Sequence, residues 1–228
     1  IYERYVQIQT KSSIDAKTIK VLNPKEVVFE GGRELELDAV SEVPRYYVCN
    51  AYGVCGIYSA PGTAVKEAYD TSGIVTNDRG VTVWLKGNRV SRNQIMAIKE
   101  ESVTEQKNSL AVCLDNILRH AGITRNTEYD LAQGKTATTI LSENMTGVQV
   151  LDLSGCTLDA VLYYVNQDIP VLAILEDGEA VLVTGFNEFN VVIMEPATGK
   201  LYKKGMNDAT AWFAENGNHF ITYMRTEN

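Results

Sequence analysis

The sequence has few of the residues that build metal sites and disulfide frameworks. Its 228 residues include two histidines and four cysteines, and no cysteine pair is spaced as Cys-x-x-Cys. Structural and catalytic zinc sites draw their ligands from such closely spaced Cys and His residues. Four cysteines are also too few for a disulfide scaffold. We therefore expect no metal and no cofactor.

Basic clusters and long apolar runs are missing as well. The net charge is -8 and no basic stripe is visible, whereas binding to nucleic acid needs clustered Lys and Arg. No window approaches the ~18 consecutive apolar residues of a membrane span. Because the chain starts at Ile1 and not at Met, we expect that it was processed or trimmed and that an N-terminal signal or anchor was removed. A membrane would then be reached only through that absent anchor.

The four cysteines leave two interpretations open. Cys49 and Cys55 could bridge if residues 50–53 turn the chain back, and Cys113 and Cys156 could lie near each other in the core. Equally, all four could be buried thiols that act as small hydrophobic residues.

The composition that remains is that of a globular protein, with 45% hydrophobic and 22% charged residues. The length suits one large or two small domains of roughly 100–150 residues each. A polar stretch over residues 88–108 separates two different patterns, so we predict an N-terminal β-rich region over 1–100 and a second domain over 101–228. The overall class is α+β.

Residues 1–47 of the N-terminal region are polar and strand-like, and they predict either small antiparallel strands or an arm packed on a neighbour. Residues 46–87 then predict the order strand, helix, strand, strand, with Pro61 early in the helix. This unit resembles the small peptidoglycan-binding modules called SPOR domains in order and length only. The resemblance implies binding of cell-wall glycan, and the alternative is a purely structural subdomain.

The second domain is organised around residues 177–200. The apolar runs 180–183 and 191–194 are separated by the polar linker 185–190, which predicts a β-hairpin buried on both faces. A third run, 169–175, ends just before it and predicts an adjacent strand. The other predicted elements are a helix from Asn108 or Ser109 to Gly122, helices over 136–144 and 157–166, a strand over 148–153, a helix opening at 207 or 208, and a strand over 220–224.

Two segments of this domain, within roughly residues 104–225, resemble papain-like cysteine peptidases of the bacteriocin-leader-processing, double-glycine peptidase-like family. In the first segment, Gln106 precedes Lys-Asn-Ser-Leu-Ala-Val-Cys-Leu, where the family has Gln, then Cys-Gly-Pro, then a helix with leucines at this spacing. In the second, Glu179–Pro196, the family has His, an apolar strand, Gly-Tyr or Gly-Phe, a second strand and Asp-Pro. The resemblance implies a nucleophile helix packed on a curved antiparallel sheet.

The chemistry of that family explains its residue types. A thiol at a helix N-terminus ionises more easily, a histidine on a core strand takes its proton, and a carboxylate fixes the imidazole tautomer. A glutamine upstream supplies an oxyanion donor, the position that Gln106 holds here.

This chain departs from the family at all three triad positions. Ser109 stands for the cysteine, Glu179 for the histidine and Glu195 for the aspartate. A carboxylate is too weak a base to ionise an alcohol near neutral pH, so we predict a scaffold that has lost hydrolysis. Asn108 and Phe186 are candidate binding residues beside these positions.

The two histidines do not offer an obvious replacement. His120 lies near the C-terminus of the Ser109 helix, where the dipole favours a cation. Cys113 lies one turn into that helix, so we expect its thiol to be structural. A dyad of Cys113 with His120 or His219 is therefore disfavoured.

The leading functional hypothesis is a catalytically inactive module that binds a peptide or protein at a bacterial cell surface. The cytoplasm is the alternative location. One rival hypothesis is an active cysteine peptidase or amidase with a different arrangement, and another is glycan binding through residues 46–87.

Overall fold

The computed structural model describes residues 19–23, 26–29, 34–35, 44–53, 55–86 and 108–226. Three short strands come first: β1 (Ile19–Asn23), β2 (Glu26–Phe29) and β3 (Glu34–Leu35). They pair antiparallel in the order β1-β2-β3, which is the first of the two arrangements predicted for this region. The proposed domain boundary near residue 100 lies outside the described residues.

A second unit, residues 44–86, combines one helix with a four-stranded antiparallel sheet. Its elements are β4 (Tyr46–Cys49), β5 (Cys55–Tyr58), α1 (Pro61–Thr71), β6 (Ile74–Asn77) and β7 (Thr82–Leu85). The sheet order is β5-β4-β6-β7. The structure adds a strand, β5, to the predicted order of strand, helix, strand, strand, because Cys55–Tyr58 folds back and pairs with β4. Pro61 stands at the first helical position, where its missing N–H costs nothing.

Residues 108–226 form a six-stranded antiparallel sheet with five helices. The helices are α2 (Ser109–His120), α3 (Glu128–Ala132), α4 (Ala137–Asn144), α5 (Leu158–Asn166) and α6 (Met206–Glu215). The strands are β8 (Val148–Asp152), β9 (Val171–Ile174), β10 (Ala180–Phe186), β11 (Asn190–Glu195), β12 (Lys200–Gly205) and β13 (His219–Arg225). The sheet order is β12-β11-β10-β9-β13-β8. This arrangement confirms the predicted α+β class.

The hairpin of β10 and β11 lies inside the sheet, with β9 and β12 on its flanks. All seven residues of β10 are buried, because α2 and α5 both pack against this strand. The unbroken apolar run therefore fits a strand covered on both faces. The turn is shorter than the predicted linker, since β10 continues through Phe186 and β11 begins at Asn190. A register irregularity between Val183 and Gly185 accompanies this extension.

Helix α2 begins at a well-formed cap. The Asn108 side chain accepts hydrogen bonds from the amides of Leu110 and Ala111, which satisfies two of the N–H groups that a helix start leaves unpaired. Leu114 and Ile117 lie on the buried face of the helix. Burial of this apolar stripe fixes the helix on the sheet.

The unit 44–86 and the fold of 108–226 share one hydrophobic core. The indole Nε1 of Trp84 donates to the carbonyl oxygen of Ala160 at 3.0 Å. The hydroxyl of Tyr164 donates in return to the carbonyl oxygen of Val83 at 3.1 Å. Each bond satisfies a buried polar group, so the two parts are joined by specific contacts as well as by apolar packing.

The helix start of α1 approaches the second part closely. A Cβ atom on Gly62 would lie 3.0 Å from the carbonyl oxygen of Ser154, so a larger side chain would push the backbones apart. None of the helices in the described segments combines the length and the apolar character needed to cross a bilayer.

Candidate functional site

The side chain of Ser109 joins α2 to the central hairpin. Its Oγ accepts a hydrogen bond from the backbone N–H of Ala180, the first residue of β10, at 3.0 Å. The serine is half-buried. A backbone donor therefore uses one of the two lone pairs of this oxygen, at the position where the resembling family carries its nucleophile.

Glu179 lies immediately before β10 and next to this contact. Its backbone N–H donates to Asp177 Oδ1 at 3.0 Å, and its carbonyl oxygen accepts from the N–H of Leu175 at 2.8 Å. These bonds define the turn between β9 and β10, where Gly178 takes a φ of 83° that favours glycine. The side chain of Glu179 is exposed.

Glu195 ends β11 on the same side of the hairpin. Because Leu182 pairs with Met194, Glu195 lies beside Val181, the second residue of β10. Its Oε2 accepts from the hydroxyl of Thr198 at 2.9 Å. The fold thus brings Ser109 to the start of β10, with Glu179 and Glu195 at neighbouring backbone positions.

The other candidate residues have different surroundings. Asn108 is exposed and caps α2, so its amide oxygen is already used by the helix. Phe186 is 5% exposed and packs in the core at the far end of β10, which leaves its ring little surface for a ligand. Gln106 lies outside the described residues.

Cys113 is fully buried one turn into α2. Burial raises the pKa of its thiol above the ordinary value, and the nearby charge of Glu179 adds to that effect. Since the thiolate is the nucleophile, burial disfavours the reactive form of this cysteine. Cys156 is also buried, its Sγ donates to the carbonyl oxygen of Gly62, and desolvation raises its pKa to about 12.

His120 lies at the opposite end of α2 from Ser109. A rise of 1.5 Å per residue places about 16 Å of helix between them. The ring of His120 uses Nε2 at 2.7 Å from the carbonyl oxygen of Asp168, and because a carbonyl only accepts, Nε2 carries the proton. The side chain of this histidine therefore hydrogen-bonds the turn that follows α5.

His219 is the first residue of β13 and is exposed. It pairs with Ile174 of β9, and Ile174 pairs with Ala180 of β10. Two strand spacings therefore separate the His219 backbone from that of Ala180, roughly 10 Å. Across the described part of the chain, no histidine ring hydrogen-bonds Ser109 or either buried thiol.

The region around Ser109 is acidic. The described segments contain no group of three or more His, Cys, Asp or Glu side chains arranged to hold a metal ion. The carboxylates at positions 176, 177, 179 and 195 give this end of the sheet a negative charge. The Ser109 oxygen lacks a neighbouring imidazole that could take its proton.

A groove at the opposite end of the hairpin was not predicted. It has a volume of about 320 Å³ and is lined by Glu188, Phe189, Gly205, Met206, Asn207 and Asp208. Phe189 is 71% exposed there. The sequence signal was weak, because a single aromatic residue in a turn has no periodicity.

A solved structure described as "an putative C39-like peptidase from Bacillus anthracis" superimposes on this chain with a TM-score of 0.52. The two sequences are 12% identical, and the match covers 61% of this chain and all of the other. No protein-family model matches the chain, and no curated protein is similar to it in sequence. The structural likeness shows a papain-like α+β fold, as the sequence resemblance implies.

Proposed function

We propose that this protein is a non-catalytic papain-like module that binds extended peptides carrying basic groups, outside the cytoplasm of a bacterial cell. The observation that carries the proposal is the bond between Ser109 Oγ and the Ala180 amide, in a site without an imidazole among the described residues.

The proposed loss of hydrolysis is supported by the acid–base properties of the site. An alcohol needs a base of suitable strength within hydrogen-bond reach before it can attack a carbonyl carbon. The carboxylate of Glu195 is exposed and accepts from Thr198. Cys113, the nearest thiol along α2, is held in its protonated form. These features support an inert site.

Peptide binding is supported by the charge and the exposure of the same region. The side chains of Glu179 and Glu195 are exposed, and both flank the start of the central hairpin. Carboxylates at this density favour lysine and arginine side chains of a ligand. An extended peptide offers such side chains at alternate positions, together with backbone groups for hydrogen bonding.

A disulfide at Cys49 supports the extracytoplasmic location. Cys49 is disulfide-bonded, and in the β4–β5 ladder it stands opposite Cys55. Disulfides persist in secreted and cell-surface proteins and are rare in the cytosol.

The binding test compares two pairs of neutralising substitutions in the full chain. A fluorescent peptide that alternates Lys and Val is titrated by anisotropy into wild type, E179Q/E195Q and E67Q/E128Q. Glu67 and Glu128 are exposed and lie outside the site, so this control removes the same charge elsewhere. We expect weaker binding in E179Q/E195Q alone. Equal affinity in all three proteins would refute the proposed site.

The catalytic test uses thiol labelling with a built-in positive control. Native wild-type protein should react with iodoacetamide far more slowly than Ser109→Cys, because only the variant has a thiol at the helix start. The same peptide is incubated with wild type and followed by mass spectrometry. Cleavage by wild type, abolished in Ser109→Ala or Cys113→Ala, would establish an active enzyme instead.

A second candidate function rests on the outer face of the β5-β4-β6-β7 sheet. Ile57, Ile74 and Leu85 are exposed there, and Tyr52 is exposed in the β4–β5 turn. The solvent-facing side of an antiparallel sheet is usually polar, whereas this face is uncharged and apolar. Exposed apolar patches of this kind mark binding sites. This face supports glycan binding by residues 46–87. Pull-down of the full chain on purified peptidoglycan, compared between wild type and Tyr52→Ala/Ile57→Ser, tests this function.

A further inference from the structure

The two edge strands of the six-stranded sheet, β8 and β12, differ in what covers them. At one edge, β8 packs against α1 and α4, and the side chain of Gln149 is hydrogen-bonded to Asn77 and Tyr46 of the unit 44–86. At the other edge, β12 pairs with β11 along all six of its residues. Among the described residues, no strand pairs with the outer side of β12.

The open edge is basic in an acidic protein. Strand β12 has the sequence Lys-Leu-Tyr-Lys-Lys-Gly, so three of its six residues are lysines, while the whole chain carries a net charge of -8. Lys200 and Lys203 are exposed. The Nζ of Lys204 lies 5.2 Å from the ring centre of Trp212 in α6, so this lysine is held near the protein surface by a cation–π contact.

From these observations we propose that β12 is a docking edge for an acidic, extended segment of another protein. The outer N–H and C=O groups of an edge strand can pair with an added strand. Lysines on that edge repel a second copy of β12, because like charges facing each other across two strands are destabilising. The same lysines attract an acidic strand. Lys200 and Lys204 share one face of β12 and Lys203 lies on the other, so Glu or Asp at alternate positions of the partner meets the lysines of one face. Pairing of β12 with a second copy of itself is therefore disfavoured, and pairing with an acidic strand is favoured.

The β12 edge and the region around Ser109 favour ligands of opposite charge. The Ser109 region has exposed carboxylates and selects basic groups, whereas β12 selects acidic ones. Only Lys200 lies close to the acidic positions, since it pairs with Glu195 across the ladder. Lys203 pairs with Val192 and Lys204 with Val191, so their charges have no carboxylate opposite them in β11.

The test titrates a fluorescein-labelled eight-residue peptide that alternates Glu and Val into the full chain, with anisotropy as the readout. We expect saturable binding that weakens with added salt. Lys200 and Lys203 point to opposite faces of β12, and the Glu side chains of the peptide all lie on one face. In K200E/K203E, affinity for the Glu-Val peptide should fall about tenfold, since on either face one favourable cross-strand pair becomes repulsive. The control K66E/R79E makes the same change in net charge at exposed positions away from β12 and should keep wild-type affinity.

A second peptide separates strand addition from simple charge attraction. Two versions of the Glu-Val peptide are N-methylated at alternate residues, one at every Glu and the other at every Val. Each keeps its carboxylates but loses the backbone donors along one of its two edges. At least one version should bind much more weakly than the unmodified peptide. The proposal is overturned if the Glu-Val peptide does not bind, if K66E/R79E weakens binding as much as K200E/K203E, or if both N-methylated peptides bind as tightly as the parent. Failure here would leave the result of the Lys-Val titration at Glu179 and Glu195 unaffected.

Discussion

The two ends of α2 hold a hydroxyl and an imidazole about 16 Å apart. At its start, Ser109 lies against the central strand and accepts the amide of Ala180. At its end, His120 donates to the carbonyl oxygen of Asp168, a non-glycine residue with a φ of 66°. The hydroxyl has a backbone donor, and the imidazole secures a turn in left-handed geometry.

The difference between these ends shows why residue types alone do not define an active site. A serine, a cysteine and a histidine occur within twelve residues of one helix, on a fold shared with a peptidase-like structure. Each is nevertheless engaged in a structural contact or buried. Hydrolysis needs the groups within hydrogen-bond reach of one another, and a helix of this length keeps them separated.

The largest effect is expected from breaking the middle of the helix that both ends depend on. Leu114 is fully buried in α2, so Leu114→Ala removes apolar contacts and leaves a cavity. We expect a loss of about 2–5 kcal/mol in the free energy of unfolding, measured by urea denaturation. The exposed Glu215→Ala in α6 is the control and should change stability by less than about 0.5 kcal/mol.

The second prediction concerns the pH dependence of stability caused by Cys113, which lies between the two ends of α2. Its thiol has a raised pKa in the folded state relative to the ordinary value of 9.0. Its contribution to stability is therefore fully present below pH 9 and is lost as the pH rises above it. The loss from this group is about 1.4 kcal/mol per pH unit while the folded thiol stays protonated.

The measurement is a series of urea denaturations between pH 8 and about 11, the range over which an unfolded thiol ionises. The decline should be less steep in Cys113→Ala than in wild type. Parallel curves for the two proteins would mean that the thiol is not desolvated in the fold.

A smaller effect is expected at the serine end. Ser109→Ala removes the acceptor of the Ala180 amide, which is then left without this partner in a half-buried position. We expect a loss of about 1–2 kcal/mol, together with faster hydrogen exchange of the Ala180 amide. Ser154→Ala, at an exposed serine, is the matched control. Unchanged exchange at Ala180 would contradict the contact.

The smallest effect is expected at the histidine end. His120→Ala removes one hydrogen bond to the Asp168 carbonyl, worth about 0.5–1.5 kcal/mol. The exposed His219→Ala should be near neutral by comparison. Thermal unfolding of both variants gives the difference, and an equal shift in the two would show that His120 does not support the turn.

The sequence predicted the elements that have strong patterns and missed those that have weak ones. The hairpin, α2 and α5 follow from apolar runs and helical spacing with capping residues. Helix α3 has only five residues, too few to show a helical period. Strand β12 is largely polar at the sheet edge, so no apolar alternation marks it, and it was identified only through its pairing with β11.

The surroundings of Ser109 were predictable in part. The resemblance selected Ser109, Glu179 and Glu195, and the fold places them at neighbouring elements. The bond between Ser109 and Ala180 was not predictable, because it joins residues 71 positions apart. Which partner a side chain meets at such separation depends on the packing of α2 against β10 and not on local pattern.

Two buried hydrogen bonds join the unit 44–86 to the fold of 108–226, one from Trp84 to Ala160 and one from Tyr164 to Val83. They also determine how the protein would respond to cleavage of the chain between these two parts. A chain severed between residues 86 and 108 would lose its covalent connection but keep the buried interface between its two pieces. The fragments should copurify and separate only under denaturing conditions. Co-expressed as two polypeptides, they would reconstitute the native assembly, with the emission of Trp84 reporting their reunion.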